Sequence, residues 1–144
     1  MKDLLSYINP VRGISPVATA ADNTPVVSQI IDRMQGVGYD SLTWLIITGA
    51  LADVDATFAV LVEHDDVVGF GTAVAVPDEQ LIGTEALASF IFSDDNKCFK
   101  IGYGGQKQFV RLTITPAANA SASLLAAIAL LGHPRATPTT NPPV

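Results

Sequence analysis

The chain has 144 residues, of which 49% are hydrophobic and only 15% charged, and its formal net charge is −6. That length suits one domain around one core, and a charged fraction so far under the roughly 25% of an average soluble domain implies that another protein chain covers some apolar surface. The eight Lys and Arg residues are scattered, which excludes the clustered positive stripe that phosphate backbones need and, with it, nucleic acid as an expected partner.

The opening MKDLLSYINPVRG lacks the apolar run of a signal peptide, so synthesis in the cytoplasm is expected. Leu4, Leu5 and Ile8 could share one side of a helical turn, which Pro10 interrupts, and residues 1–12 are read as an N-terminal arm. Val11 to Thr19 contains Pro16 and suits a sheet edge, because proline cannot donate to a ladder. Val26 to Arg33 (VVSQIIDR) is the next expected strand, and Gly36 and Gly38 mark a reversal after it. Ser41 to Thr48 (SLTWLIIT) begins with alternation and then turns apolar on both faces, the pattern of a central strand covered on both sides.

After a turn at Gly49 to Asp55, Thr57 to Glu63 alternates again with Phe58, Val60 and Val62 inward. His64 to Gly83 reads as a long loop with a short strand at Thr72 to Val76. Leu87 to Ser93 and Cys98 to Tyr103 are expected strands on either side of an Asp94-Asp95-Asn96 turn. With Lys107 to Thr115 they would form a three-stranded meander. In that last segment Val110, Leu112 and Ile114 point one way and Arg111, Thr113 and Thr115 the other, the two-residue period of a half-buried strand.

Ser123 to Leu131 (SLLAAIALL) would suit a helix or a strand by composition; its shortness and its place after a strand and a loop favour a buried last strand. Its apolar run, Leu124 to Leu131, is far short of a bilayer span, so no membrane partner is expected. The tail His133 to Val144 is rich in proline and is expected to be extended. The whole predicts an all-β fold, an antiparallel two-sheet β-sandwich of jelly-roll type over residues 13–132, flanked by the arm (1–12) and the tail (133–144).

No constellation of catalytic or cofactor-binding side chains emerges. The acidic clusters Glu63, Asp65, Asp66 and Asp94, Asp95 lack EF-hand spacing, so no metal site is expected. His64 and His133 are far apart in the chain and no GxSxG elbow accompanies them, so a hydrolase triad cannot be argued merely because Ser, His and Asp all occur. Gly102, Gly104 and Gly105 read as a hairpin turn rather than a phosphate loop, since Lys107 stands where the last glycine of GxGxxG belongs. Cys98 is the only cysteine, which rules out an intrachain disulfide, and is read as a partly buried strand residue. The sequon at Asn119 to Ser121 carries no meaning without a secretory signal. Trp44, Tyr39 and Tyr103 could form an aromatic platform for a sugar, but Trp44 alternates with Leu42 and Ile46 and fits the core better.

The stretches SPVATAADNTPVVSQIIDR, YDSLTWLIITGALADVDATFAVLVEHDD, DEQLIGTEALASFIFSDDNKCFKIGY, QKQFVRLTITP and LLGHPRATPTTNPP resemble those of a family of small virion proteins of tailed bacteriophages and prophages, commonly associated with the major capsid protein. The resemblance implies a capsid decoration, or cement, protein without enzymatic activity or cofactor. Such a protein sits on the outer surface of the virion shell and binds the major capsid protein and copies of itself, with a homotrimer as the usual geometry. A carbohydrate-binding β-sandwich module on the virion surface, or a head-completion or tail protein, is the alternative. The expected protein interface lies on both ends: Leu4, Leu5, Tyr7, Ile8 and Arg12, with His133, Pro134 and Arg135. The loop Val67 to Val76 (VVGFGTAVAV) departs from the expected pattern by being more apolar than an exposed loop should be.

Overall fold

The computed structural model describes residues 3–143. Its strands are β1 (Ile8–Ala18), β2 (Val26–Val27), β3 (Ile31–Asp32), β4 (Tyr39–Leu51), β5 (Thr57–Asp65), β6 (Val74–Ala75), β7 (Leu81–Ile82), β8 (Phe90–Ile91), β9 (Cys98–Tyr103), β10 (Phe109–Ala117) and β11 (Ser123–Pro134), with one short helix, α1 (Glu85–Ala88). They form two sheets. A five-stranded sheet runs β1-β11-β4-β9-β7, and the second runs β2-β10-β5-β6, with β3 also on β10 and β8 also on β5. The long strands β4, β5, β9, β10 and β11 fall in alternate sheets, so each connection between them crosses the sandwich, as in a jelly roll.

Two-residue periodicity builds the core between the sheets. Leu42, Trp44 and Ile46 of β4 and Leu125, Ala127, Ala129 and Leu131 of β11 face Phe58, Val60 and Val62 of β5 and Val110, Leu112 and Ile114 of β10; all are buried. Each fully buried large side chain of this kind contributes about 1.5–3 kcal/mol. The expected sandwich, the inward set on β5 and β10, the core place of Trp44 and the buried last strand are all present.

Several expected elements differ. Val26 to Arg33 is not one strand but two bridges, β2 and β3, because Ser28 and Gln29 between them span the two sheets. Ser28 donates its N–H to Leu112 O at 2.8 Å and Gln29 donates to Gly13 O at 3.0 Å. Leu87 to Ser93 opens as α1, whose N-cap Thr84 accepts from Leu87 N at 3.1 Å, and only Phe90 and Ile91 extend as strand. The expected meander is absent: β8 pairs with β5, β9 with β4 and β7, and β10 with β5, since successive strands change sheets instead of forming hairpins. Cys98 is exposed on β9 rather than partly buried.

The chain ends also differ from free arms. Ile8 to Arg12, assigned to the arm, are the first residues of β1 and pair with β11. The tail folds back. Thr139, only 7% exposed, donates its N–H to Ser6 O at 3.1 Å and brings its hydroxyl to Leu5 O and Ile8 O at 3.2 and 2.8 Å. Those carbonyls belong to the 3₁₀ turn Leu5–Tyr7 and the start of β1, where backbone acceptors lack regular partners. Residues Met1, Lys2 and Val144 of the arm and tail assignments lie outside the described residues.

Gly13 sits at a register shift of β1 between Arg12 and Ile14. A Cβ there would meet the Trp44 ring inside contact distance and stand 3.0 Å from Ala127 O, and neither the wholly buried indole nor the β11 backbone can easily give way. Gly13→Ala is therefore expected to destabilise the fold by about 1–3 kcal/mol, the usual scale of overpacking. Urea unfolding measures it, and an unchanged midpoint would show that the indole can move aside.

Candidate functional site

The two outer faces of the sandwich are unlike. On the second sheet, β5 and β10 turn Thr57, Ala59, Leu61, Glu63, Arg111, Thr113 and Thr115 away from the core, a face that mixes polar side chains with a few apolar ones. Glu63 and Arg111 form an ion pair at 2.8 Å, and the Arg111 guanidinium lies 4.5 Å from the centre of the Phe70 ring. That face can meet water.

The five-stranded sheet is different. Residues opposite one another across antiparallel strands share a side, so its outer face can be read from the register. One row runs Pro10, Leu130, Thr43, Gly102 and Ile82; the next runs Arg12, Ile128, Leu45 and Lys100; a third runs Ala126, Ile47 and Cys98. Its centre is aliphatic. Ile47 is 42% and Ile82 70% exposed, with Leu124 and Leu87 at 48% and 75% beside them. No carboxylate stands in these rows. The only charges are Arg12 and Lys100, and among the described residues neither has an ion-pair partner.

Small residues pit this face. Where Ala126, Gly49, Gly102 and Gly132 bring little or no side chain, hollows open between their larger neighbours. One of about 420 Å³ lies among Pro10, Arg12, Ile14, Pro16, Ile47 and Ile128, and one of about 240 Å³ adjoins it at Gly49 and Leu124. A third, about 560 Å³, lies among Thr43, Ile82, Leu87, Cys98, Lys100 and Gly102.

A fourth hollow, about 370 Å³, gathers four of the interface residues expected from sequence: Leu4, Tyr7, Ile8 and His133, together with Asp3, Ser41, Thr43, Leu130 and Gly132. His133 Nδ1 is 2.9 Å from Ser41 Oγ, which fixes the ring at the rim. Arg12 belongs to the first hollow instead. Leu5 is exposed but lines none of these hollows; Pro134 pairs with Tyr39, and Arg135 pairs with Asp40 at 3.1 Å. Sequence reasoning missed Leu45, Ile47, Ile82, Leu87, Ile128 and Leu130. The signal for two of them was present, because Ser41 to Thr48 is apolar on both faces; the structure supplies a cover for only one.

The other candidate groups are engaged locally. Trp44, Tyr39 and Tyr103 are 0%, 2% and 1% exposed, so none of them presents a platform. Asp65 is a hub for the following loop, accepting from Thr72 N and Oγ1, Asp66 N and Val67 N at 2.7–3.2 Å. Burial works to raise its pKa, but hydrogen bonds from Thr72, then Val67 and Asp66, outweigh it and hold the carboxyl below the ordinary range. Val76 uses the loop's apolar character by joining the core and Phe70 lies buried beneath the Arg111 guanidinium on the outer side of the second sheet, while Val67, Val68 and Val74 stay exposed. Asp94 binds Lys97 and Ile91 N, and Asp95 accepts from Leu51 N. Among the described residues no three His, Cys, Asp or Glu side chains converge to hold a metal ion, and no helix is long and apolar enough to cross a membrane.

His64 is 3% exposed, and its Nδ1 lies 2.8 Å from the Tyr103 hydroxyl, which in turn accepts from Lys107 N at 3.1 Å. Burial lowers its pKa below the ordinary histidine value, and the charge of Lys107 adds to that against opposing pulls from Asp66 and Asp65.

No family model matches the chain, and no curated protein does. Among solved structures, a xylan-binding module, CBM15, is similar over 94% of this chain and 96% of its own, at 9% identity and a TM-score of 0.44.

The His64 shift sets a pH dependence. A depressed folded pKa means that the unfolded chain takes up the proton first, so the stability contributed by neutral His64 is present above the unfolded pKa and is lost as pH falls through it. The urea midpoint is expected to drop between about pH 7.5 and about pH 5.5, where carboxylates stay mostly ionised, and His64→Gln is expected to flatten that drop. A slope unchanged in the variant would assign the effect to another group.

Proposed function

We propose that the chain is a structural virion protein, a decoration or cement protein that binds the outer surface of a tailed-bacteriophage head and stabilises contacts between major capsid protein subunits. It does so by docking, without catalysis or a cofactor. The observation that carries this reading is the uncovered half of a sheet whose central strands β4 and β11 are apolar on both sides. Continuous apolar faces of this kind mark protein contacts. The low charge density and the sequence resemblance to capsid-associated proteins support the same role.

In this reading the five-stranded sheet faces the shell and the Glu63–Arg111 face meets solvent. The arm and tail, tied together through Thr139, frame one end of the docking surface at Leu4, Tyr7 and His133. Closed threefold symmetry would place three copies around a local threefold axis of the shell.

Purified particles are expected to contain the protein in hundreds of copies, and particles lacking it to melt at a lower temperature than wild type. Absence from particles would sink the proposal. A copy number in the tens or fewer would move the protein to the connector or tail. Dose-dependent glycan-array binding that disappears in Tyr7→Ala, the aromatic change at the exposed arm, would point to the carbohydrate-binding reading instead.

A further inference from the structure

The row Arg12, Ile128, Leu45, Lys100 crosses four neighbouring strands in register, one residue from each. Strands lie about 4.8 Å apart, so the two cations stand about 14 Å apart at their Cα atoms with two aliphatic side chains between them. Both cations are exposed and lack ion-pair partners among the described residues. A chain with a net charge of −6 thus presents its apolar face with positive charge at two margins and no acid in the rows between. Asp3 sits at the rim of the hollow beside the arm, outside these rows.

Resting on the proposed docking role of this sheet, we propose that the row recognises a different protein whose surface carries a matching acidic–apolar–acidic pattern, with carboxylates placed to meet Arg12 and Lys100. A second copy of this chain fits the face poorly. Of the twofold arrangements that align the strands and centre on the row, an axis along the strands sets Arg12 over the partner's Lys100 position and one along the row sets each cation over its own counterpart. Either arrangement opposes like charges with no acid in the row to offset them. A protein surface with projecting apolar side chains also fits the hollows at Ala126 and Gly102, which a flat lipid surface would leave unfilled.

The test uses shells assembled from the major capsid protein alone as the probe, with the full chain added as wild type, as Arg12→Glu/Lys100→Glu and as Ile128→Asp. Both variants are first checked for a urea midpoint unchanged from wild type. Wild type is expected to co-sediment with shells and to weaken as salt rises from about 50 to about 500 mM. The double charge reversal is expected to bind at least about tenfold less tightly. If the reversal binds as wild type does while Ile128→Asp fails, the charge pattern is wrong although the docking face stands. If wild type does not bind shells at all, both fall. Concentration-dependent dimerisation of the wild type that Ile128→Asp abolishes, or co-flotation with phosphatidylcholine–phosphatidylglycerol vesicles lost in the reversal, would likewise overturn the inference by naming a different occupant.

Discussion

The structure depends on one constraint: β11, near the end of the chain, must insert between β1 and β4 along nearly its full length. That insertion closes the five-stranded sheet. It also sets the rows of its outer face in register, and it buries Leu125, Ala127, Ala129 and Leu131 over the second sheet. Because β4 and β11 carry aliphatic residues on both phases of their alternation, forming the sheet satisfies only one of two apolar surfaces. The remaining surface is the source of the functional reading. Covering it on binding would remove apolar area from water, a favourable contribution set against the ordering cost of a complex.

The second sheet solves the same geometric problem differently. Thr57, Thr115, Glu63 and Arg111 on its outer side give the alternation of β5 and β10 one dry face and one more polar face, on which Leu61 and Val27 are the apolar members. The same protein therefore contains both kinds of sheet, and their difference gives the molecule a direction. Local polar hubs steady its edges: Asp65 gathers the loop after β5, Ser28 and Gln29 span the two sheets, and Thr139 ties the tail to the arm.

Much of the sandwich was legible in the sequence because strand periodicity is a local signal. Val110, Leu112 and Ile114 could be assigned inward from their spacing alone, and the double-sided pattern of Ser41 to Thr48 announced a central strand. Pairing was less legible. The meander expected from Leu87 to Thr115 does not form, because the choice of sheet for each strand is a long-range matter that turn residues between neighbours do not encode. The helical turn at Glu85 was hidden for a related reason: its Thr84 cap and Ser89 contacts are small local preferences set inside a run that also reads as strand. At the candidate site, Leu4, Tyr7, Ile8 and His133, expected at the chain ends, come together around one hollow. Ile128 and Leu130 could not be picked out, because an apolar residue on an outer face has the same side chain as one facing a core.

The central claim is that the five-stranded sheet, and not the polar one, is the docking surface. A cryo-EM map of the particle tests it most directly. The expected map places Ile47, Ile128 and Leu130 against the shell, with carboxylates of the neighbouring subunit close to Arg12 and Lys100, and leaves the Glu63–Arg111 pair facing solvent. A map with the sandwich turned the other way, its polar face on the shell and its aliphatic rows in water, would contradict it.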